Sequence, residues 1–416
     1  MTPESRPLPT KPGSVGEVFG VMARLGCFAF GGPVAHLAHF QKELIEKRRW
    51  IGASEYADLI AFSQFLPGPA STQVSMGLGL MRAGLPGMIA AWVAFSGPSI
   101  LLLLAAAAGF GTMTNGSLGW LHGLLAGVVA IVAEAVWKMS KKLCPHRRHV
   151  TLALAGAGAM IVFPHTQMQI AVIFGGAIGG LIWLDRPQAI PDDGKSVRVS
   201  RATVAFGWAT LIIGVALPVA WSNLTTADEP SLLNVYGAFS QTGALVFGGG
   251  HVVLPMLQAE VVAPGWMTDE QFLTGYGVTQ AMPGPIFTLS GYLGAVVGHN
   301  VDGTWTSFFS TAGAALLGIF APSFGFVAAL FPLWHRMRSS VRARQALGGI
   351  NAAVVGLLVA ALYDPVWTKA MQGDHVPWSV TIALLSWLLL ANWKRPAWLV
   401  LLLAAGVGAA VLDVSA

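Results

Sequence analysis

Two Pro-Gly-Pro triplets, Pro67-Gly68-Pro69 and Pro283-Gly284-Pro285, are the parts of this chain best suited to hold an anion. Proline pushes the residue before it out of the helical region and is well tolerated at a first helical position. Each triplet therefore ends one helix and starts another. A new helix start presents unpaired N–H groups and the positive end of its dipole. Two such starts meeting from opposite faces of a membrane would cradle an anion. The Ser71, Thr72 and Thr288 hydroxyls and the Gln64 and Gln280 amides add donors. A matched break lies 34–35 residues before each triplet, Phe30-Gly31-Gly32 in one case and Phe247-Gly248-Gly249, followed by Gly250, in the other. Those glycines let the backbone approach closely or leave donors free. The competing reading is that the breaks are kinks that only help helices pack.

Three further side chains could take part. Arg24 precedes Gly31 by seven residues on an apolar stretch. An arginine buried there is costly unless it pairs with an anion, carbonyls or water. Snorkelling to the membrane surface is the alternative. His251, after the second glycine run, and His36, beyond the first, could relay protons near neutral pH or simply pack.

The elements that must position these groups are repeated. A shift of 217 matches Gly20 to Gly237, Gly26 to Gly243, Gln41 to Gln258 and Glu43 to Glu260. Further on, Pro98-Ser99 matches Pro322-Ser323, and Ala126-Gly127-Val128-Val129 matches Ala352-Ala353-Val354-Val355. Arg24 falls opposite Gln241, so the halves differ chemically. Duplication that keeps helix breakers inside apolar segments is the mark of a two-repeat transporter.

Composition agrees with a membrane setting: 54% of residues are hydrophobic and 10% charged, against roughly 25% charged in ordinary soluble domains. At about 20 residues per crossing, the apolar material suffices for roughly nine to thirteen spans. Met1–Pro12 is polar and proline-rich, which argues against a cleavable signal there. Basic clusters at 42–49, 138–148, 186–201, 336–344 and 394–395 belong in the cytoplasm, with the N-terminus. The counterpart of the 42–49 loop, 258–270, carries Glu260, Asp269 and Glu270 and no lysine or arginine. Equivalent loops with opposite signatures imply halves placed upside down.

The expected fold is thus an all-α polytopic membrane protein, an inverted repeat with broken, re-entrant helices. Residues 1–184 and 203–416 form the repeats, and 185–202 is a basic cytoplasmic linker. Val15–His39 and Ser54–Arg82 are expected to re-enter from one face, and Leu232–Leu257 and Asp269–Gly298 from the other. Full spans are expected near 86–110, 118–137, 150–165, 167–184, 203–222, 305–331, 346–363, 378–392 and 396–412.

Other classes fare poorly. Gly194-Lys195-Ser196 looks like the end of a phosphate loop, but Ala189 replaces its first glycine. Cys27 and Cys144 are too far apart in setting for a disulfide framework or metal pair. No metal, cofactor or nucleic-acid partner is expected. The partners are an anion and the bilayer, with assembly of several copies left open.

The segments Arg24-Leu25-Gly26…Phe30-Gly31-Gly32-Pro33 and Gln64…Pro67-Gly68-Pro69, with Phe247-Gly248-Gly249-Gly250 and Gln280…Pro283-Gly284-Pro285, resemble the chromate ion transporter family. The length is similar to its long-chain members, in which two homologous domains are fused. The resemblance implies a bacterial inner-membrane protein, not an enzyme, that exports chromate on an ion or proton gradient, with sulfate as a competitor. It carries the family's motif roles onto the residues just quoted. The substrate-binding set on this reading is Arg24, Gly31, Gly32, Gln64, Pro67, Gly68, Pro69, Ser71 and Thr72. From the second half come Gly248, Gly249, Gly250, His251, Gln280, Pro283, Gly284, Pro285 and Thr288. A sulfate or other oxyanion importer, an anion channel and, more remotely, a membrane reductase are the alternatives.

Overall fold

The computed structural model describes residues 13–111, 119–186, 199–224, 229–247, 250–372 and 375–412. Met1–Pro12, most of the linker (187–198), Gly248 and Gly249 lie outside the described residues, as does the side chain of His251. Every regular element described is helical. The first repeat comprises α1 (Val15–Cys27), α2 (Gly32–Phe40), α3 (Ala53–Phe65), α4 (Ala70–Ala106), α5 (Gly119–Leu143), α6 (Arg147–Val162) and α7 (Thr166–Trp183). Two helices, α8 (Arg201–Leu211) and α9 (Leu217–Leu224), lead to the second repeat. That repeat comprises α10 (Leu232–Leu245), α11 (Val253–Val261), α12 (Asp269–Ala281), α13 (Leu289–Asp302) and α14 (Trp305–Leu330). A short α15 (Trp334–Ser339) follows, then α16 (Val341–Ala361), a single turn α17 (Thr368–Ala370), α18 (Val376–Ala391) and α19 (Ala397–Leu412).

Five segments among the described residues are long and apolar enough to cross a bilayer: Ala70–Gly109, Gly119–Leu143, Arg201–Trp221, Trp305–Leu333 and Val341–Ala370. The chain is a multi-pass, all-α membrane protein of two related halves. α4 is two helices end to end, broken at Ala83–Gly84, where Gly84 takes a φ of 66°. The same break separates α13 from α14 at Gly303, with a φ of 71°. The expected spans near 150–165, 167–184, 378–392 and 396–412 appear as α6, α7, α18 and α19, of 16 or 18 residues. At 1.5 Å per residue these reach only about 24–27 Å, less than the roughly 30 Å hydrocarbon core.

These short helices pack across the repeat boundary. α18 and α19 lie against α5, while α6 and α7 lie against α16. The halves have exchanged partners, and neither completes its own wall. Inside each half, a glycine sets the central crossing. A methyl group on Gly26 of α1 would come within 2.5 Å of the Phe95 carbonyl oxygen of α4. Gly243 of α10 meets the Ile319 carbonyl of α14 in the same way. In lipid, close backbone approach of this kind supplies the dispersion contacts that hold helices together, since apolar burial alone gains little there. Large apolar side chains on the outer surface, such as Leu101, Ile182 and Leu224, then face acyl chains.

Candidate functional site

Three chain breaks meet at the centre beside Val246 and Gly250, and their geometry follows from the residues that make them. α1 ends at Cys27, and Gly31 and Gly32 adopt φ values of 92° and 74° before Pro33 opens α2. α3 ends at Phe65, and Leu66 is extended as its neighbour Pro67 requires. Gly68 follows with φ 112°, then α4 starts at Ala70 with no side chain capping its first turn. In the second half Met282 is extended, Gly284 has φ 119°, and a short 3-10 turn, Ile286–Thr288, opens α13.

The breaks are joined crosswise. The Gly68 N–H donates to the Val246 carbonyl at 2.6 Å, and the Gly284 N–H donates to the Ala29 carbonyl at 2.8 Å. Ala29 and Val246 are equivalent positions, each just before a glycine break. Each Pro-Gly-Pro is therefore tied to the other half's break, and its glycine N–H is already committed. The next layer repeats the pattern. Ser99 donates to Thr288 Oγ1 at 2.6 Å, and Thr288 donates on to the Pro285 carbonyl at 2.7 Å. Gln73 Nε2 donates to the Pro67 carbonyl at 2.6 Å and to Ser323 Oγ at 3.3 Å. Ser99 and Ser323, the residues after the matched prolines of α4 and α14, thus buttress the opposite triplet.

One connection has no counterpart. His36, buried on α2, donates from Nε2 to the Ala29 carbonyl at 2.8 Å. A carbonyl only accepts, so the proton is on Nε2. Its Nδ1 lies 3.2 Å from Ser71 Oγ, a hydroxyl able to donate or accept. Val253 stands at the equivalent place in the second half.

Two cavities border this centre, and a third lies along α1. One, about 170 Å3, is lined by Gln64, Gly68, Pro69, Ser71, Gly250 and Pro285, so both helix starts and the residue after the second glycine pair reach it. Thr72 lies behind its wall, fully buried, with an Oγ1 that has no hydrogen-bond partner; Thr288 is equally buried. Pro67 and Pro283 are in the crossing itself rather than on the cavity. A second cavity, about 480 Å3, is lined by Gly31, Gly32, Gln280 and Gly284 together with charged residues of α5 and of the turn between α18 and α19. A third, about 490 Å3, holds Arg24, His39 and Lys42 beside Glu17 and Glu43. Both of those acids are engaged: Glu17 pairs with Arg82 at 3.0 Å, and Glu43 with Lys47 and Arg48 at 3.1 and 3.0 Å. Lys47, then Arg48, hold the half-buried Glu43 carboxyl below the usual carboxylate range. Arg24 is exposed and does not line the cavity that holds the two helix starts.

The chromate transporter family profile matches residues 16–181 and 233–409, one match over each half. This chain belongs to the chromate transporter family. The "Chromate transport protein" of Pseudomonas aeruginosa is 26% identical over 412 residues, covering 95% of this chain and 92% of that one. A protein of the same description from Cupriavidus metallidurans is 29% identical, covering 82% and 79%. The "Probable chromate transport protein" of Synechococcus elongatus is 26% identical, covering 89% and 88%. No solved structure matches the chain.

In this chromate transporter family member, the halves have also diverged at the Arg24 position. Gln241, the equivalent of Arg24, donates to Glu260, the equivalent of Glu43, at 2.9 Å. Two contributions could not be read from the motifs. Ser99 and Ser323 touch the triplets only because α4 and α14 cross them. Lys138, Lys394 and Arg395 reach the second cavity only through the exchanged packing of α5, α18 and α19. Pro98-Ser99 matching Pro322-Ser323 was the one sequence signal for the serines.

Proposed function

We propose that this chain is a secondary transporter that exports chromate, a tetrahedral dianion, across a bacterial cytoplasmic membrane. The observation that carries the reading is the reciprocal tie of Gly68 to Val246 and Gly284 to Ala29, which brings two uncapped helix starts to one cavity. Free N–H groups of the first turns after Pro69 and Pro285, with Ser71 and Gln64, supply donors on several sides of a tetrahedral anion. Gly250 lines the same cavity, and Gly31, Gly32 and Gln280 line the way in. Arg24 and Lys42 set the potential of the neighbouring cavity and do not touch the anion at the centre. The relatives' names supply chromate as the substrate.

The basic segments support a cytoplasmic N-terminus. On that reading the first repeat begins and ends on the cytoplasmic side, α8–α9 crosses once, and the second repeat enters from outside. The repeats are then inverted, and alternating access is a rocking of one against the other. Efflux needs little coupling. A membrane potential negative inside favours expulsion of a dianion by about 4.6 kcal/mol per 100 mV, from roughly 2.3 per charge.

The test is uptake of labelled chromate and sulfate by inside-out vesicles under an imposed potential of either sign. Saturable chromate accumulation when the vesicle interior is positive is expected. Preferential sulfate movement toward the cytoplasmic face would mark an importer instead, and continuous unitary currents in planar bilayers would mark a channel.

A further inference from the structure

The 480 Å3 cavity has a wall that neither sequence motif supplies. α5 contributes Glu134 and Lys138, and the turn between α18 and α19 contributes Lys394 and Arg395. Glu134 is its single acid, and Lys138 already holds that carboxylate at 2.7 Å. Among the described residues neither Lys394 nor Arg395 has a carboxylate partner. Two positive charges are therefore left over at a chamber whose far end is Gly31, Gly32, Gln280 and Gly284.

Two further features mark this turn. Lys394 sits at a φ of 51°, a conformation that glycine adopts freely and lysine does not. Strain of this kind at a surface turn points to a use for the side chain. Exposed Trp398 lines the cavity, and exposed Trp137 and Trp393 directly precede its lining residues Lys138 and Lys394, a pattern found where a protein meets the headgroup layer. The matching turn of the other half is different. The equivalent turn, between α6 and α7, carries no lysine or arginine, and it borders a cavity of about 150 Å3 whose single charged side chain is Asp364.

We propose that the 480 Å3 cavity is a second anion site, a capture chamber in which Lys394 and Arg395 hold an incoming tetrahedral dianion before it passes Gly31 and Gly32. The proposal rests on the oxyanion transporter reading and adds a site and two residues to it. The planar guanidinium of Arg395 matches two oxygens of such an anion at once, and the Lys394 ammonium supplies a point charge. Cations at a mouth with low-dielectric walls raise the local anion concentration. If the halves are inverted, as proposed above, the acid Asp364 lies toward the opposite face, so capture is favoured at the Lys394 face and recapture is opposed at the Asp364 face.

The experiment uses the full chain in proteoliposomes and in detergent, with chromate as the probe. Initial rates are measured against chromate concentration for the parent, Lys394→Gly with Arg395→Gln, and Lys394→Arg with Arg395→Lys. The charge-removing pair should raise the half-saturating concentration about tenfold, with the maximal rate nearly kept and the difference shrinking in high salt. The charge-keeping pair should restore it. Glycine relaxes the backbone at 394, so the melting temperature should not fall and misfolding is not the cause. An unchanged half-saturating concentration in the charge-removing pair overturns the chamber. If the parent moves no oxyanion, the transport reading is what fails, and equilibrium dialysis then judges the chamber alone. Loss of one of two bound chromate equivalents in the charge-removing pair supports it; unaltered stoichiometry overturns it.

Discussion

At Gly284 a single added methyl group would meet Ser99 Cβ at 2.5 Å, on a backbone with φ 119°. Gly68 is as constrained, with Gln73 Nε2 and Ser323 Oγ at 2.7 and 2.8 Å. Gly32 also has a positive φ, but nothing lies within 4 Å of where its Cβ would be. Gly284→Ala and Gly68→Ala therefore combine overpacking with backbone strain, each of order 1–3 kcal/mol. Gly32→Ala carries strain alone, about 1–2 kcal/mol. Melting temperatures in detergent should fall in that order, and chromate transport should drop with them. Equal losses at Gly32 and Gly284 would contradict the crossing. These glycines were legible in the sequence because only glycine takes such φ values between prolines. Their partners were not, since Val246 and Ala29 act through carbonyls that every residue has. Arg24 is a different case. Val18, Val21, Met22 and Gly26 are the buried face of α1, and that spacing turns position 24 outward. The periodicity was available; distance from Gly31 along the chain was the weaker guide.

The helices themselves followed from apolar length, and the breaks from glycine and proline. What composition could not reveal was which short helices serve as full walls. α6, α7, α18 and α19 make sense only as pairs laid against a long helix of the other half, and pairing across repeats leaves no mark in local hydropathy. Helix ends outside the membrane are set by local capping. Between α13 and α14, Asp302 accepts hydrogen bonds from Ser307 Oγ, the Thr304 N–H and Thr304 Oγ1 at 2.7, 2.9 and 2.9 Å. Ser307, then Thr304, hold this exposed carboxyl below its ordinary value. A carboxyl so depressed adds stability above its unfolded-state pKa and loses that contribution as pH falls through its folded value. Asp302→Asn should therefore lower the melting temperature at neutral pH, and the two proteins should converge as the solution becomes more acidic than the ordinary carboxylate range. A gap that persisted in acid would assign the effect to packing.

On the scale of the molecule, the exchanged walls make each half dependent on the other. α5 without α18 and α19, or α16 without α6 and α7, would present a glycine-lined groove to lipid. Fragments ending at Arg186 and beginning at Val199 should therefore co-purify and transport when expressed together, while either one alone should be degraded. A tag on one fragment, with detection of the other, checks this. The duplication announced two halves in the sequence; their interlocking did not show, because matched segments say nothing about which copy a segment touches.

The crosswise rungs at Gly68 and Gly284 have a bearing on leakage. On the proposed rocking of inverted repeats, a wedge pulled away on one side drags the carbonyl that steadies its twin, so the two seals would not loosen independently. Severing one rung should give a carrier that short-circuits the membrane, passing ions with no oxyanion aboard.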